Sequence, residues 1–231
     1  PWRLTVAEGR RALSSMERSP DRLQRNRKIV KGAGTNCDRV YVFDRGSARG
    51  ALVRVFSRAL GEDVLLEASA LRRCYRGRDI KAPHLAAPGA LALVPYHSDG
   101  KLWSPDFLAS SFPQVHAYLH RCRPLLDKRE RGRFAGDTFY CYGRPQNLRL
   151  LLSDRPRVLI PDGAKGGRAL ADRRGAFALD SAYAVFPDDV EEVDALAAVL
   201  ASERVRFWLG ERGVLLRGGY VRMKTAFLRE L

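Results

Sequence analysis

The last third of the chain alternates short apolar runs with glycine-rich loops, in an order that few folds accommodate. One apolar run ends at Pro161 and Asp162, a loop rich in Gly and Lys follows, and further apolar runs occupy residues 176–179 and 183–186. Short runs of this kind, bounded by Gly, Pro and Asp, are typical of buried strands. The longer amphipathic stretch 189–211 predicts a helix. This region therefore predicts short strands covered by helices.

The same mixture of patterns occurs along the whole chain. Alternating or β-branched runs predict strands, and capped amphipathic runs predict helices. The predicted strands are 39–44, 51–56, 63–67, 90–95, 138–142 and 158–161, and the predicted helices are 5–18, 21–31, 106–111, 113–131 and 223–231. We predict an α+β fold of mixed short-stranded sheets with peripheral helices, forming one domain over residues 1–231. If the chain divides, the predicted sub-boundary is 132–137.

The chain is strongly basic. Lys and Arg number 41 against 26 acidic residues, which gives a net charge of +15 and a pI near 10.3. A field of this sign attracts polyanions over long distances, and the planar fork of Arg matches phosphates and the guanine edge. A GC-rich genome also enriches Arg, Ala and Gly with no partner involved, so charge alone leaves a basic protein-interaction scaffold open. Nucleic acid is the leading predicted partner.

The sequence predicts neither a membrane segment nor a secreted protein. No apolar run approaches the roughly 20 residues that span a bilayer. The segment from Pro1 lacks the basic and then apolar pattern of a secretory signal. We therefore expect a cytoplasmic location, and the start at Pro without Met suggests a fragment of a longer polypeptide.

The residues that bind zinc most often are poorly placed for it. The four cysteines lie far apart in the sequence, and the pair His116 and His120 has no further ligand at zinc spacing. We predict no metal site.

A glycine-containing segment, residues 32–35, is surrounded by hydrogen-bond donors. A dinucleotide-binding loop would need a third glycine, a strand before it and a helix after it, and the sequence supplies none of these. Glycine also lets a backbone approach a flat or charged surface closely. The predicted contacts to nucleic acid here are Lys31, Thr35, Asn36 and Arg39. A simple turn into a strand is the alternative.

A second polar segment follows the aromatic run 138–142. Arg144, Gln146 and Asn147 lie in a loop with Gly143 and Pro145. Arg pairs bidentately with guanine, and Asn or Gln with adenine. We predict base contacts from these three side chains and from Asn36, and a phosphate contact from Arg149. The alternative is that this polar trio only satisfies its own backbone.

Cationic loops also occur near the C-terminus. Arg217, two glycines and Tyr220 form a predicted turn, followed by Arg222 and Lys224, while Lys165 and Arg168 flank the glycine-rich loop after Asp162. These residues are the remaining predicted DNA contacts. Pro161, Asp162 and Lys165 also match the first half of a metal-dependent nuclease site, but no Glu-x-Lys follows in a neighbouring strand. A nuclease fragment of a defence system remains the alternative enzyme.

These segments together resemble the TaqI-like C-terminal specificity, or target-recognition, domain of adenine-specific DNA methyltransferases from restriction-modification and phage-defence systems. The resemblance covers most of the chain. Its main motifs are Gly-x-Gly-Thr-x-x-Asp-x-Val at 32–40, Tyr-x-Tyr-Gly-Arg-x-Gln-Asn-Leu at 140–148 and Arg-Gly-Gly-Tyr-x-Arg-x-Lys at 217–224. Tyr41 replaces the Phe of the family pattern.

The resemblance implies a domain that recognises double-stranded DNA beside a catalytic methyltransferase domain of the same polypeptide. That partner would flip the target adenine and take methyl from S-adenosylmethionine. The Asn/Asp-Pro-Pro-Tyr/Phe loop that holds a flipped adenine does not occur in this sequence, nor does a glycine-rich loop for the methyl donor. We therefore predict no catalytic residue and no cofactor in this chain.

Overall fold

A computed structural model describes residues 7–18, 27–81, 90–223 and 225–230 of the 231-residue chain. The helices are α1 (Ala7–Glu17), α2 (Asp38–Tyr41), α3 (Pro105–Ser111), α4 (Pro113–Leu126), α5 (Leu148–Leu151), α6 (Val193–Leu200), α7 (Glu203–Arg212) and α8 (Thr225–Glu230). The strands are β1 (Arg27–Lys31), β2 (Val42–Phe43), β3 (Gly46–Arg49), β4 (Leu52–Ser57), β5 (Glu62–Glu67), β6 (Leu71–Tyr75), β7 (Ala90–Leu93), β8 (Arg157–Pro161), β9 (Gly163–Ala164), β10 (Leu170–Asp172), β11 (Phe177–Ala178), β12 (Ala182–Pro187), β13 (Val214–Leu216) and β14 (Tyr220–Arg222).

The central sheet has the strand order β1-β12-β8-β10, and all of its pairs are antiparallel. Every residue of β8 and β12 is buried because both faces of the sheet are covered. One face, with Leu159 and Phe186, packs into a large core. The other face, with Ile160 and Val185, packs into a second core that includes residues of α6, α7 and α8. Two-sided burial explains why these strands read as continuous apolar runs.

Three smaller sheets surround this centre. Strands β11-β6-β7-β2 form a mixed sheet, in which β11 pairs with β6 in parallel. Strands β3, β4 and β5 form an antiparallel meander, and the hairpin β13–β14 pairs with β9. The predicted α+β class is confirmed. Among the described residues, no helix has the length and apolar character needed to cross a membrane; the domain boundary near 132–137 stays a prediction.

The predicted strand 138–142 is wrong, because these residues form successive turns. Its alternating aromatic residues reflect burial of the rings in a core. Tyr140 Oη donates to the Trp103 carbonyl at 2.7 Å, and Tyr142 Oη donates to the Leu93 carbonyl at 2.7 Å. Since those hydroxyl groups have buried acceptors, the rings can be buried without a strand.

The predictions for 21–31 and 39–44 are also wrong in part. Residues 27–31 form β1 and not a helix, since Ile29 and Val30 are buried on the two faces of the central sheet. Residues 21–26 lie outside the described part of the chain. Residues 38–41 form the helical turn α2, and only Val42 and Phe43 continue as a strand.

The predicted helix 189–211 is divided. A 3₁₀ turn precedes α6, and Ser202 then caps α7 by accepting a hydrogen bond from the Val205 N–H at 3.3 Å. The predicted pairing of 176–179 with 183–186 is wrong as well, because β11 pairs with β6 while β12 lies between β1 and β8.

Candidate nucleic-acid interface

The two polar segments that the sequence singled out, residues 31–36 and 143–147, lie side by side. Gly34 N donates to the Arg144 carbonyl at 3.0 Å, and Arg144 N donates back to the Gly34 carbonyl at 2.9 Å. Gly143 N donates to the Thr35 carbonyl at 3.3 Å. These bonds make a short antiparallel pairing between two distant parts of the chain. We call this pair of segments the junction.

A third segment, residues 178–182, supports the junction from the protein interior. Ala33 N donates to the Ala178 carbonyl at 3.1 Å, and Gly32 N donates to the Ala182 carbonyl at 2.9 Å. A Cβ atom at Gly32 would lie 2.2 Å from the Leu179 carbonyl oxygen, so glycine is required there. The close approach at Gly32 is thus to the protein's own backbone.

Two of the predicted DNA contacts hold the junction together, and a third is buried within one of its segments. Gln146 Nε2 donates to the Gly32 carbonyl at 2.8 Å, and Asn147 Nδ2 donates to the Lys31 carbonyl at 2.9 Å. Thr35 is only 1% exposed, and its hydroxyl donates to Asp38 Oδ1 at 2.5 Å while accepting from the Cys37 N–H. Each of these groups therefore has a protein partner in this structure.

The remaining predicted contacts of the junction, Lys31, Asn36 and Arg144, are at least partly exposed. Lys31 is half-buried, and its Nζ lies 3.5 Å from Asp162 Oδ2 and 5.8 Å from the Tyr183 ring centroid. Arg144 and Asn36 are exposed. Asn36 has a left-handed backbone, with φ of 56°, and packs directly over Gly143.

Asp180 lies beneath these cations and beside Gly34, where an added Cβ would meet its carboxylate at 3.0 Å. Burial is the main cause that raises the pKa of Asp180 above the usual aspartate value. The charge of Asp38 raises it further, while Lys31 and Arg144 act in the opposite direction. The junction therefore combines exposed cations with a half-buried acid.

Sequence reasoning missed the residue that anchors the junction. Arg129 is 6% exposed, and its guanidinium donates to four backbone carbonyls, those of Thr35 (3.1 Å), Cys141 (2.7 Å), Phe139 (2.5 Å) and Leu126 (3.0 Å). The predicted helix 113–131 is wrong at its end, because α4 stops at Leu126 and Arg129 lies buried in the turn that follows. In a run that alternates basic and acidic residues, no local signal marks which Arg is buried.

The C-terminal hairpin carries a second group of predicted contacts. Its turn requires Gly218 and Gly219, which have φ values of 80° and 78°. Arg217, Tyr220 and Arg222 are exposed, and Tyr220 is 42% accessible. The hairpin pairs with β9, which places Lys165 Nζ 5.3 Å from the Tyr220 ring centroid. Lys224 lies outside the described residues.

The hairpin and the junction adjoin each other at Asp162. Its backbone carbonyl accepts from the Met223 N–H at 2.7 Å, next to the hairpin, while its carboxylate contacts Lys31. Tyr183 lies between them, and its pKa is raised first by burial and then by the charge of Asp162. Asp162 and Tyr183 thus link Lys31 to the hairpin, while Asp180 is close enough to Lys31 and Arg144 for their charges to act on it.

The other predicted contacts lie further out. Arg149 lines a shallow depression of about 400 Å³ with Lys28, Asp99 and Asn147, beside the junction. Arg168 is half-buried in a loop that packs against the end of α6 at Gly167. Arg39 is exposed on α2. In the part of the chain that the structure describes, no three His, Cys, Asp or Glu side chains group as metal ligands would.

No family model matches the sequence. The chain is 21% identical over 234 residues to the type II methyltransferase M.BstVI of Geobacillus stearothermophilus, an alignment that spans 100% of this chain and 38% of that protein. The chain also superposes on the type IIL restriction-modification enzyme MmeI, solved in complex with DNA, with a TM-score of 0.57 and 13% identity over 89% of this chain and 24% of MmeI. It therefore resembles part of a type II methyltransferase in sequence and shares the fold of part of a type IIL restriction-modification enzyme.

Proposed function

We propose that this chain recognises specific sequences in double-stranded DNA as the TaqI-like specificity domain of an adenine-specific DNA methyltransferase in a restriction-modification or related defence system. In this proposal a separate catalytic domain of the same polypeptide binds S-adenosylmethionine and transfers the methyl group. The likeness to segments of M.BstVI and of DNA-bound MmeI supports this role.

One structural observation carries the proposal. Two exposed cationic loops, which are far apart in the sequence, adjoin each other at Asp162. The net charge of +15 gives the whole molecule a field that attracts a polyanion. A surface whose loops are held by backbone hydrogen bonds suits DNA. Phosphate contacts fix the position of the protein on the duplex, and base contacts supply the specificity.

The exposed residues divide by chemistry into two roles. Phosphates are contacted by the ammonium groups of Lys31 and Lys165 and by the bidentate guanidinium groups of Arg217 and Arg222. The aromatic ring of Tyr220 lies beside Lys165. Arg144 and Asn36 have side chains suited to guanine and adenine edges in the major groove.

The experiment that tests this proposal measures duplex affinity against salt concentration by filter binding. The logarithm of the binding constant should fall steeply with the logarithm of salt concentration, because each neutralised phosphate releases counterions. The double variant Arg217→Ala, Arg222→Ala should flatten the slope by about 2 and weaken binding to every duplex alike.

The matched control removes two exposed arginines from the meander, Arg49→Ala and Arg54→Ala. That double variant changes net charge equally and should leave most of the slope intact. Duplex binding that is absent or insensitive to salt would instead favour a protein-interaction scaffold. Equal losses in the two double variants would show that total charge matters and that the hairpin does not contact DNA.

A further inference from the structure

The turn of residues 128–133 lies against the junction and presents one carboxylate among four basic residues. Glu130 and Arg131 are exposed at its tip, and Arg133 is exposed beside them. Arg129, at the base of the turn, donates to the carbonyls of Thr35 and Cys141. The position of the turn is therefore fixed by the same backbone groups that form the junction.

Glu130 is held in place by two side chains. Asn36 Nδ2 donates to Glu130 Oε1 at 2.6 Å, and Arg133 Nη1 donates to Glu130 Oε2 at 3.4 Å. Glu130 and Arg131 also have left-handed backbones, with φ of 45° and 61°. Two consecutive residues other than glycine adopt this conformation only where the surrounding contacts impose it. The turn thus positions the carboxylate next to Asn36, which itself lies over Gly143 and beside Arg144.

A carboxylate at this position is costly to a protein that binds DNA in general. It repels phosphates at any sequence, and it lowers affinity unless a specific donor on the DNA compensates for it. The exocyclic amino groups of cytosine and adenine both donate in the major groove, but adenine also presents the N7 acceptor, which repels a carboxylate. Cytosine is therefore the better match, and Glu and Asp are its matched acceptors. Acceptor atoms such as thymine O4 and guanine O6 would face it unfavourably.

We propose that Glu130 is a specificity-determining residue that accepts a hydrogen bond from a cytosine amino group in the major groove. Asn36 orients the carboxylate, and the buried Arg129 fixes the turn that carries it. This inference rests on the proposed function as a DNA-recognition domain. It adds a third segment, absent from the sequence-predicted contacts, to the surface that reads bases.

The test selects bound duplexes from a randomised pool and sequences them for the wild-type chain, Glu130→Gln and Glu130→Asp. The wild type should enrich a preferred site that contains a cytosine. Glu130→Gln, which is nearly isosteric, should lower the preference at that one base pair by about tenfold or more. It should also bind duplexes without the site more tightly, because a negative charge is removed. Glu130→Asp keeps the charge but not the reach, so it should lose preference without that gain.

The matched control is Glu62→Gln, which neutralises another exposed carboxylate, on β5, that lies 2.7 Å from Arg121 of α4. Its preference profile should equal that of the wild type. Melting temperatures of all variants accompany the selection, so that a loss of folding is recognised. An unchanged profile in a folded Glu130→Gln variant overturns this inference alone. A wild-type chain that binds duplexes without any preference overturns the proposed function and this inference with it.

Discussion

The junction and the C-terminal hairpin contain the same kinds of polar residue and use them in opposite ways. In the junction, Gln146 and Asn147 donate to backbone carbonyls of the neighbouring segment. In the hairpin, Arg217 and Arg222 are exposed on either side of a glycine turn. The amide side chains of the junction bond its own backbone, while the arginines of the hairpin are exposed to solvent.

This difference shows that a polar motif does not by itself mark a ligand contact. Gln146 and Asn147, whose amide groups match adenine edges, already donate to backbone carbonyls across the junction. What the junction offers to DNA is narrower, namely Arg144, the Lys31 ammonium group and Asn36, whose amide also donates to Glu130. The hairpin offers charge with little positional constraint, which suits phosphates better than bases.

The sharpest test of the junction as an architectural unit is Arg129→Ala. Removal of the guanidinium leaves the carbonyls of Phe139 and Cys141 without this donor, while the Thr35 carbonyl keeps the Gly143 N–H. Buried groups that lose a partner cost roughly 1–3 kcal/mol each. We expect the free energy of unfolding to fall by about 4 kcal/mol, as measured by urea denaturation.

The neighbouring variant Arg131→Ala serves as its control, because Arg131 is exposed in the same turn. It should change stability by no more than about 0.5 kcal/mol. If Arg129→Ala lowered the free energy of unfolding as little as Arg131→Ala does, the junction would not depend on Arg129, and its contrast with the exposed hairpin would not hold.

Gln146→Ala and Arg144→Ala should separate structure from recognition within one loop. Gln146→Ala leaves the Gly32 carbonyl without its donor, so we expect a loss of about 1–2 kcal/mol in unfolding free energy. Arg144→Ala removes an exposed side chain and should leave stability unchanged while lowering sequence preference by about 1–3 kcal/mol. Thermal melts and competition binding with altered duplexes measure the two effects. A stable Gln146→Ala variant with relaxed sequence preference would reverse this assignment.

The fold class and several elements could be predicted from the sequence because their signals are local. The run at 158–161 is apolar throughout and became β8, buried on both faces. The predicted helix 106–111 is α3, which begins one residue earlier because Ser104, and not Asp106, accepts from the Phe107 N–H and Pro105 occupies the first turn. Such caps and apolar runs depend on neighbours in sequence, so they can be read without the tertiary structure.

The errors occurred where long-range contacts decide the outcome. The aromatic alternation of 138–142 has the period of a strand, yet Tyr140 and Tyr142 are buried in turns because Trp103 and Leu93 supply carbonyl acceptors. Arg129 could not be told from its basic neighbours, since its acceptors come from three separate segments. Lys31 and Arg144 were both predicted as DNA contacts, but no spacing rule in the sequence shows that their segments lie side by side.

Asp180→Asn tests whether the acid beneath the junction opposes DNA binding, and its expected effect is the smallest. Because burial raises the folded-state pKa of Asp180, the protonated form favours folding. That contribution is complete below the unfolded pKa near 3.9 and is lost as pH rises through the higher folded value. Asparagine mimics the protonated acid, so the variant should melt slightly higher than the wild type at pH 7, and the difference should vanish near pH 4.

The same substitution removes a negative charge beside Lys31 and Arg144. Duplex affinity at pH 7 should therefore rise by about fivefold, which corresponds to roughly 1 kcal/mol for one charge pair in a high-dielectric setting. Binding isotherms at pH 7 and at low salt measure this change. Weaker binding by Asp180→Asn would mean that the carboxylate orients Arg144 for its contact. Asp180 would then contribute to DNA recognition by positioning Arg144, although it lies below the exposed face of the junction.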